Sequence, residues 1–483
     1  MKLPEDFLQS LDGITGFNRE AFEQVHAEAQ PPTSIRINEA KTSINHPQPT
    51  IDNADSAGHH SPSADHCELA GGNHSPVPWC QMGFYLRQRP SFTFDPLFHA
   101  GCYYVQEASS MFLEQALLQL IDLSQPLKAL DLCAAPGGKS THIQSLLSPG
   151  SLVVSNEVIK QRSLALTDNI MRWGCSNAFV VNNDPKAFQK LPGYFNLLVV
   201  DAPCSGSGLF RKDAEAVDEW SLHNVALCSQ RQQRILADAL PALKVGGLLV
   251  YSTCSYSREE DEAIMDWLVE EMSLENLGLS IETFDGIVET SSPRAGAVGY
   301  RFYPDKLKGE GFFLSCFRKN TAERSNNKLR PLKAEILSVT DKKVIAGWMK
   351  EAGFEYLRFR QSVYAVPDKL LDEFFILSSA LNIQYAGMPV GDVLKGKLVP
   401  HHALALSTVA RKDLPALDLT YDDAIRYLQR QELSFQPQTT GWQAVRYNGY
   451  NLGWVNVLQN RVNNYYPKEI RILKQHNNTA FEK

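Results

Sequence analysis

The chain has 483 residues, 43% of them hydrophobic and 21% charged, the balance of a globular protein long enough for about three domains. Its 47 Lys and Arg against 54 Asp and Glu leave a net charge of −7, so bulk charge announces no nucleic-acid partner and such binding would need local basic patches. Nine cysteines, an odd number without any Cys-x-x-Cys, read as reduced thiols of a cytoplasmic enzyme rather than a disulfide framework, and no apolar run has the length of a signal peptide or a membrane span.

In chain order, residues 1–44 read as a short helical lead followed by the alternating strand Ser34-Ile35-Arg36-Ile37-Asn38. Residues 45–78 are rich in His, Ser, Pro, Asp, Asn and Gly and nearly devoid of large apolar side chains, which predicts a mobile insert. The insert and its flank carry His59, His60, His66, Cys67, His74 and Cys80, but their spacing matches no zinc pattern, so no metal is expected. Tyr103-Tyr104-Val105-Gln106-Glu107 is strand-like, and an amphipathic helix follows from Ala108 to Leu120.

From 127 to 319, apolar strand-like runs alternate with helical stretches. Strands are expected at 128–132, 152–156, 178–182, 196–200 and 247–252, with a closing pair at 299–303 and 311–318. That order is the signature of a doubly wound α/β domain with a mostly parallel sheet. Ser257 and Glu260 have the spacing of a capping box for a helix running through Trp267. Residues 320–332 read as a polar linker, and 333–400 show a mixed pattern that specifies no fold. Short strands dominate 401–476. Within 441–476, Arg446, Arg461, Lys468, Arg471 and Lys474 are interleaved with Trp442, Tyr447, Tyr450, Trp454, Tyr465 and Tyr466. Two readings stay open there, an RNA-binding surface that neutralises phosphates and stacks bases, or a small barrel with an aromatic core.

In a doubly wound sheet the chemistry lies beyond the carboxyl ends of the strands. Three segments arrive at that rim. Leu130-Asp131-Leu132 runs into Cys133-Ala134-Ala135-Pro136-Gly137-Gly138-Lys139, where paired glycines let the backbone approach a ligand. Glu157, twenty residues past Gly137, has ribose-gripping spacing, and Asp184 at the end of the third strand is placed to reach an adenine edge. Neither the phosphate-loop nor the dinucleotide pattern is complete. A nucleoside cofactor without phosphates fits better, S-adenosylmethionine being the obvious one.

The other two segments are Asp201-Ala202-Pro203-Cys204-Ser205-Gly206 and Ser252-Thr253-Cys254. Two thiols and a carboxylate suit methylation at C5 of a pyrimidine. A thiolate adds to C6, a carboxylate near N3 stabilises the adduct, and a second group assists release after methyl transfer. Cys228, Cys316 and Cys175 read as buried structural residues.

These motifs, with Arg211-Lys212-Asp213, resemble the Nop/Sun family of RNA cytosine-C5 methyltransferases over roughly 30–320. The tail, with His402-Ala403-Leu404-Ala405-Leu406, Gly441-Trp442, Tyr447-Asn448-Gly449, Leu452-Gly453-Trp454 and Asn463-Asn464-Tyr465-Tyr466-Pro467, resembles the PUA-like end of its bacterial small-subunit rRNA subgroup. The resemblance implies that Cys254 is the nucleophile and Cys204 the release cysteine. It also implies cofactor contacts from Cys133 to Lys139, Glu157, Asp184 and Asp201, with Arg162 at a basic position after Glu157. The implied division is an N-terminal RNA-binding region at 1–100 with its insert at 45–78, a Rossmann-like S-adenosylmethionine-dependent methyltransferase domain at 101–320, a linker and intermediate domain at 321–400, and a PUA-like β-barrel at 401–483. That last part is expected to be a separable RNA anchor. Small-subunit rRNA or the assembled subunit is the implied partner, for a monomer that touches no membrane. The same chemistry on tRNA, or a silent RNA-binding assembly factor, are the alternatives. Ser207 stands where many members carry Glu, an exchange expected to be without consequence, and the insert is foreign to the pattern.

Overall fold

The computed structural model describes residues 3–28, 30–42, 74–321, 334–350, 353–360, 362–433 and 439–474. Its centre is a ten-stranded sheet. Lys128–Asp131, Leu152–Asn156, Ala178–Val181, Phe195–Asp201 and Leu243–Thr253 pair in parallel. Phe312–Lys319 then runs antiparallel to Leu243–Thr253, and Val298–Phe302 antiparallel to it. The five expected parallel strands are thus present, with bounds shifted by a few residues, and so is the closing pair.

The parallel strands are apolar throughout because helices cover both faces, so alternation is lost. Val153, Val154, Val180, Val199, Val200, Leu249 and Val250 are all fully buried. Lys128–Asp131 lies between Leu152–Asn156 and Phe195–Asp201, so the connections wind outward in opposite directions from its two sides. The carboxyl ends of Lys128–Asp131 and Phe195–Asp201 flank this switch point, where a doubly wound sheet opens a crevice.

The region expected to be a linker and intermediate domain at 321–400 is tied into this sheet. Ile383–Ala386 pairs antiparallel with Ala178–Val181 and becomes the sheet's last strand. The remainder builds a five-stranded antiparallel sheet, and Leu357, Val366, Phe374 and Leu377 join the core formed by Leu130, Phe179 and Leu198. A mixed pattern specified no fold there because its strands find their partners far away in the chain.

The N-terminal sheet pairs Thr33–Ile37 with Cys80–Leu86 and Tyr103–Val105. His74–Val77, expected to belong to the mobile insert, forms a strand against Cys80–Leu86, with His74 edge-on to Phe84. The rest of the insert, including His59, His60, His66 and Cys67, lies outside the described residues. Arg36 fastens this sheet to the catalytic one. Its buried guanidinium donates to Gln106 Oε1 at 2.9 Å and Thr141 Oγ1 at 2.6 Å and covers the Trp173 ring.

The C-terminal four-stranded sheet contains Gly441–Tyr447 and Tyr450–Val457. Trp454 and Tyr466 are buried, whereas Tyr465 is exposed, so the aromatic run is partly core and partly surface. This sheet shares one core with the N-terminal region, Val445, Leu452 and Tyr466 packing with Ile35, Leu86 and Tyr103. Trp454 and Ala444 also join a core with Leu166 and Ile170 of the catalytic domain. Removing 401–483 would therefore expose apolar surface of both neighbours, which weighs against the expectation of a separable anchor.

One buried ion cluster sets the end of the strand that carries Cys254. Arg301 holds Glu262 through Nε at 2.8 Å and Nη2 at 2.5 Å, and Asp261 at 3.0 Å, all out of water. Removing one member of a buried cluster strands the others, at a cost of about 3–5 kcal/mol. Arg301→Ala is therefore expected to lose about that much stability. Urea denaturation followed by circular dichroism measures it, and a loss within about 0.5 kcal/mol, the usual size of a neutral surface change, would contradict the assignment.

Candidate active site

The first rim segment leaves Lys128–Asp131 and turns into the helix Gly138–Leu146. Gly137 has φ of 115°, a left-handed conformation that suits glycine. A Cβ on Gly138 would come within 3.3 Å of the Tyr104 ring. A cleft of about 170 Å³ lies between this loop and the stretch 104–107, with Asp131, Cys133, Lys139 and Asp201 among its walls. The N-terminal strand Tyr103–Val105 thus leads into one wall of the crevice, a role its sequence did not signal.

Asp131 is fully buried; Oδ2 accepts from Ser140 Oγ at 2.7 Å, while Oδ1 has no protein partner. Burial pushes its carboxyl up to about 7. Burial likewise raises the Cys133 thiol, which suits a wall of the crevice rather than a nucleophile. Lys139 is buried, which works against its charge, but Asp201 Oδ2 at 2.8 Å holds its pKa above the ordinary value. Asp201 Oδ1 accepts from Ser252 Oγ at 2.8 Å, so Asp201 joins the cofactor loop to the strand that carries Cys254.

Glu157 follows Leu152–Asn156 and is buried. Its Oε1 accepts from Ile159 N–H at 2.8 Å, and Oε2 lies 3.5 Å from Arg162 Nη1. Arg162 also donates to the Ala135 carbonyl at 2.9 Å, which ties Glu157 to the glycine loop. Asp184 differs from expectation. Its strand ends at Val181, and Asp184 is an exposed N-cap that accepts from Lys186 N–H at 3.0 Å.

The two thiols meet. Cys204 Sγ and Cys254 Sγ are 3.0 Å apart and both are half-buried. The hydrogen bond to Cys254, then burial, raise the Cys204 thiol well above its ordinary value. Several ties bind the two loops. Gly208 N–H donates to the Cys254 carbonyl at 2.7 Å, and Tyr256 N–H donates to Ser207 Oγ at 3.1 Å. Ser207, expected to be without consequence, is therefore one of the joints. A Cβ on Gly208 would lie 2.6 Å from the Cys254 carbonyl and 2.5 Å from that of Gly311, so glycine is required there.

Glu260 is the residue the sequence misassigned. The helix starts at Glu262 behind Asp261, which makes no side-chain cap, and Glu260 turns inward instead. Its Oε1 accepts from Ser205 N–H at 2.8 Å and Gln232 Nε2 at 3.1 Å. Its Oε2 accepts from Ser205 Oγ at 2.5 Å and Ser255 Oγ at 2.6 Å. The capping-box spacing is real, but the polar demand of two buried loops outweighs local helix chemistry.

Elsewhere Cys80, Glu114 and His142 form a buried cluster of metal-type donors. Cys80 Sγ–H donates to Glu114 Oε2 at 3.1 Å, His142 Nε2 lies 2.8 Å from the same oxygen, and Gln81 N–H donates to Oε1 at 2.9 Å. Glu114 takes hydrogen bonds on both oxygens, while the buried Nδ1 of His142 has no partner among the described residues, and the charge of Arg36 acts on Glu114 and Cys80.

Comparison with known proteins places these features in a family. Residues 118–318 match the 16S rRNA methyltransferase RsmB/F family, 3–108 the N-terminal domain of 16S rRNA methyltransferase RsmF, and 414–472 the methyltransferase RsmF PUA domain. Ribosomal RNA small subunit methyltransferase F of Shewanella piezotolerans is 30% identical over 415 residues, covering 83% of this chain and 86% of that one. The protein of the same name from Aeromonas salmonicida is 28% identical over 488 residues, 97% of each chain. The crystal structure of NSun6 from Pyrococcus horikoshii with SFG superposes with a TM-score of 0.51 at 19% identity over 66% of this chain and 98% of that one, a likeness of fold.

Asp131 makes stability depend on pH. Its folded pKa of about 7 exceeds the unfolded value of about 4, so the native state binds its proton more tightly. This contribution therefore declines as pH rises from about 4 to 7 and is constant above. Asp131→Asn should flatten the fall of unfolding free energy over that window, by on the order of a few kcal/mol. Denaturant midpoints at half-unit pH steps measure this, and identical slopes for the two proteins would refute it.

Proposed function

The chain belongs to the family of ribosomal RNA small subunit methyltransferase F, and from that premise we propose that it methylates C5 of a cytosine in small-subunit ribosomal RNA, using S-adenosylmethionine. The observation that carries this reading is the pair of thiols at 3.0 Å, beside a carboxylate at the switch point of the sheet. The residues of the crevice fit the cofactor, with a glycine loop where added side chains would crowd Leu166 and Tyr104 and the unpartnered Oδ1 of Asp131 on its wall. Cys133 to Lys139, Glu157 and Asp201 would hold it; Asp184 would contribute from the exposed rim. The bound cofactor supplies an electrophilic methyl group.

The chain's residues do the rest. The target base leaves its stack to reach the thiols, at a cost of a few kcal/mol that contacts in the pocket must offset. The Cys254 thiolate forms a bond to C6, and the displaced electron pair makes C5 nucleophilic. As the thiolate adds, N3 takes up a proton from solvent, and Asp201 accepts the hydrogen bond of the resulting N3–H, held in place by Lys139 and Ser252. After C5 has gained its methyl group, a water molecule takes the C5 proton, the electron pair returns to the ring and expels Cys254, and the Cys204 thiol gives its proton to the departing sulfur.

The two cysteine variants separate these roles. Cys254→Ala should yield neither methylated RNA nor a covalent adduct. Cys204→Ala should add to the base and transfer methyl, then accumulate a protein–RNA species that survives denaturing electrophoresis. An adduct trapped by Cys254→Ala and absent from Cys204→Ala would reverse the assignment.

A basic groove supports RNA as the substrate although the chain is acidic overall. It encloses about 1040 Å³ between Arg87, Arg89, Lys212 and Lys308, with no carboxylate among its lining residues. Lys308 Nζ lies over the Tyr85 ring. Lys212 N–H bonds the Leu209 carbonyl, one residue beyond the Gly208 whose N–H holds the Cys254 carbonyl, so a single turn links a wall of the groove to the loop of Cys254. Replacing Arg87, Arg89 and Lys308 together with Ala should lower the salt slope of RNA binding by about 2, at roughly 0.7 per lost single-strand phosphate contact. Filter binding from 50 to about 300 mM salt tests it. An unchanged slope would move the RNA path elsewhere.

A further inference from the structure

We infer that Glu260 is a positioning residue of the methyl transfer, a buried carboxylate that fixes the approach of the two sulfurs and keeps their shared proton on Cys204. This rests on the roles proposed above for the thiols. Glu260 touches neither sulfur. It acts through Ser205 and Ser255, the residues that follow Cys204 and Cys254.

The geometry defines its charge. Ser205 N–H and Gln232 Nε2–H can only donate. Ser255 Oγ accepts from Ser257 N–H at 3.0 Å, which turns its hydrogen toward Glu260 at 2.6 Å. Ser205 Oγ donates to the same oxygen. Four donors converge on two oxygens, an arrangement for an acceptor-only carboxylate. Burial raises the pKa of Glu260, and the hydrogen bonds from Ser205, Ser255 and Gln232 oppose that rise. The same Gln232 also donates to the Pro203 carbonyl at 3.1 Å, so both sides of Cys204 are held by one network.

That charge stands close to Cys204, because Glu260 bonds the N–H of the next residue, Ser205. It adds to the hydrogen bond and the burial that hold the Cys204 proton on. The other charged and titratable groups around the sulfurs come from every neighbouring element. Lys139 and Asp201, ion-paired at 2.8 Å, face them from the cofactor side. Tyr251 lies on the strand, Cys228 and Arg231 on the helix Leu222–Ala239, and Asp261, answered by Arg301, behind Glu260. Glu260 takes two hydrogen bonds from Ser205, next to Cys204, and one from Ser255, next to Cys254, so the negative group is tied more closely to the Cys204 loop. A cysteine that must wait as an acid or base until the methyl has moved needs this asymmetry.

Glu260→Gln keeps the volume, and both serine hydroxyls can turn to accept from the new amide. Iodoacetamide labelling at a series of pH values, with peptide mapping, reads the two cysteines separately in the full chain without RNA. The midpoint for Cys204 should fall by about one pH unit in Glu260→Gln, a tenfold change in acidity. Ser255→Ala, which removes one tie and leaves the charge, should leave that midpoint in place. An unmoved Cys204 midpoint in Glu260→Gln, with melting temperature retained, overturns the inference. If Glu260→Gln does not fold, the wild-type protein decides, because a Cys204 midpoint at or below the free-thiol value of about 8.5 overturns it too. Failure of methyl transfer by the wild-type enzyme would count against the proposed reaction alone, since the labelling involves none.

Discussion

A carboxylate out of water must be met by donors or lose its charge, and Glu260 imposes that constraint on the whole active rim. Its donors come from the loop after Phe195–Asp201, the loop after Leu243–Thr253 and the helix Leu222–Ala239. None of these can move far without leaving a buried oxygen unpaired. Next to this network, Arg301 neutralises Asp261 and Glu262, so three consecutive acids are accommodated inside the protein. The thiols themselves contribute little to this scaffold. They are carried on it, half-buried at its solvent side, and the fold pays for their placement elsewhere.

Much of this was legible in the sequence because it rests on short-range pattern. Fully apolar runs named the five parallel strands, and the residues at or just past their carboxyl ends, Asp131, Glu157, Asp201 and Cys254, fell at the rim. What was not legible rests on distance. Glu260 has the spacing of a cap and the job of a tertiary bridge, and nothing within a few residues distinguishes the two. Ile383–Ala386 is too short to announce which edge it joins. Cys80, Glu114 and His142 meet from three elements with no common motif. Asp184 was read as the end of its strand, but the strand stops at Val181 and Asp184 follows three residues later as the N-cap of a short helix.

The outer domains show a related economy. Arg36, buried between the N-terminal sheet and the helix Gly138–Leu146, links the strand pair that walls the crevice to the helix that begins at the glycine loop. The C-terminal sheet packs on both neighbours through Val445, Leu452, Trp454 and Tyr466. Cofactor cleft, basic groove and terminal sheet therefore share cores rather than hinges. The basic residues of the groove are mechanically continuous with the walls of the crevice.

The strand Ile383–Ala386 has a consequence for how the protein is made. Until it arrives, the edge strand Ala178–Val181, apolar at every position, has one side of its backbone unpaired. Ribosomes add roughly 5–20 residues per second, and about two hundred residues separate the two strands, so the edge waits on the order of 10–40 s for its cover. An unpaired apolar edge of this kind is a template for association with other nascent chains. The enzyme thus has a vulnerable interval during its own synthesis, one that ends only when a segment far downstream emerges.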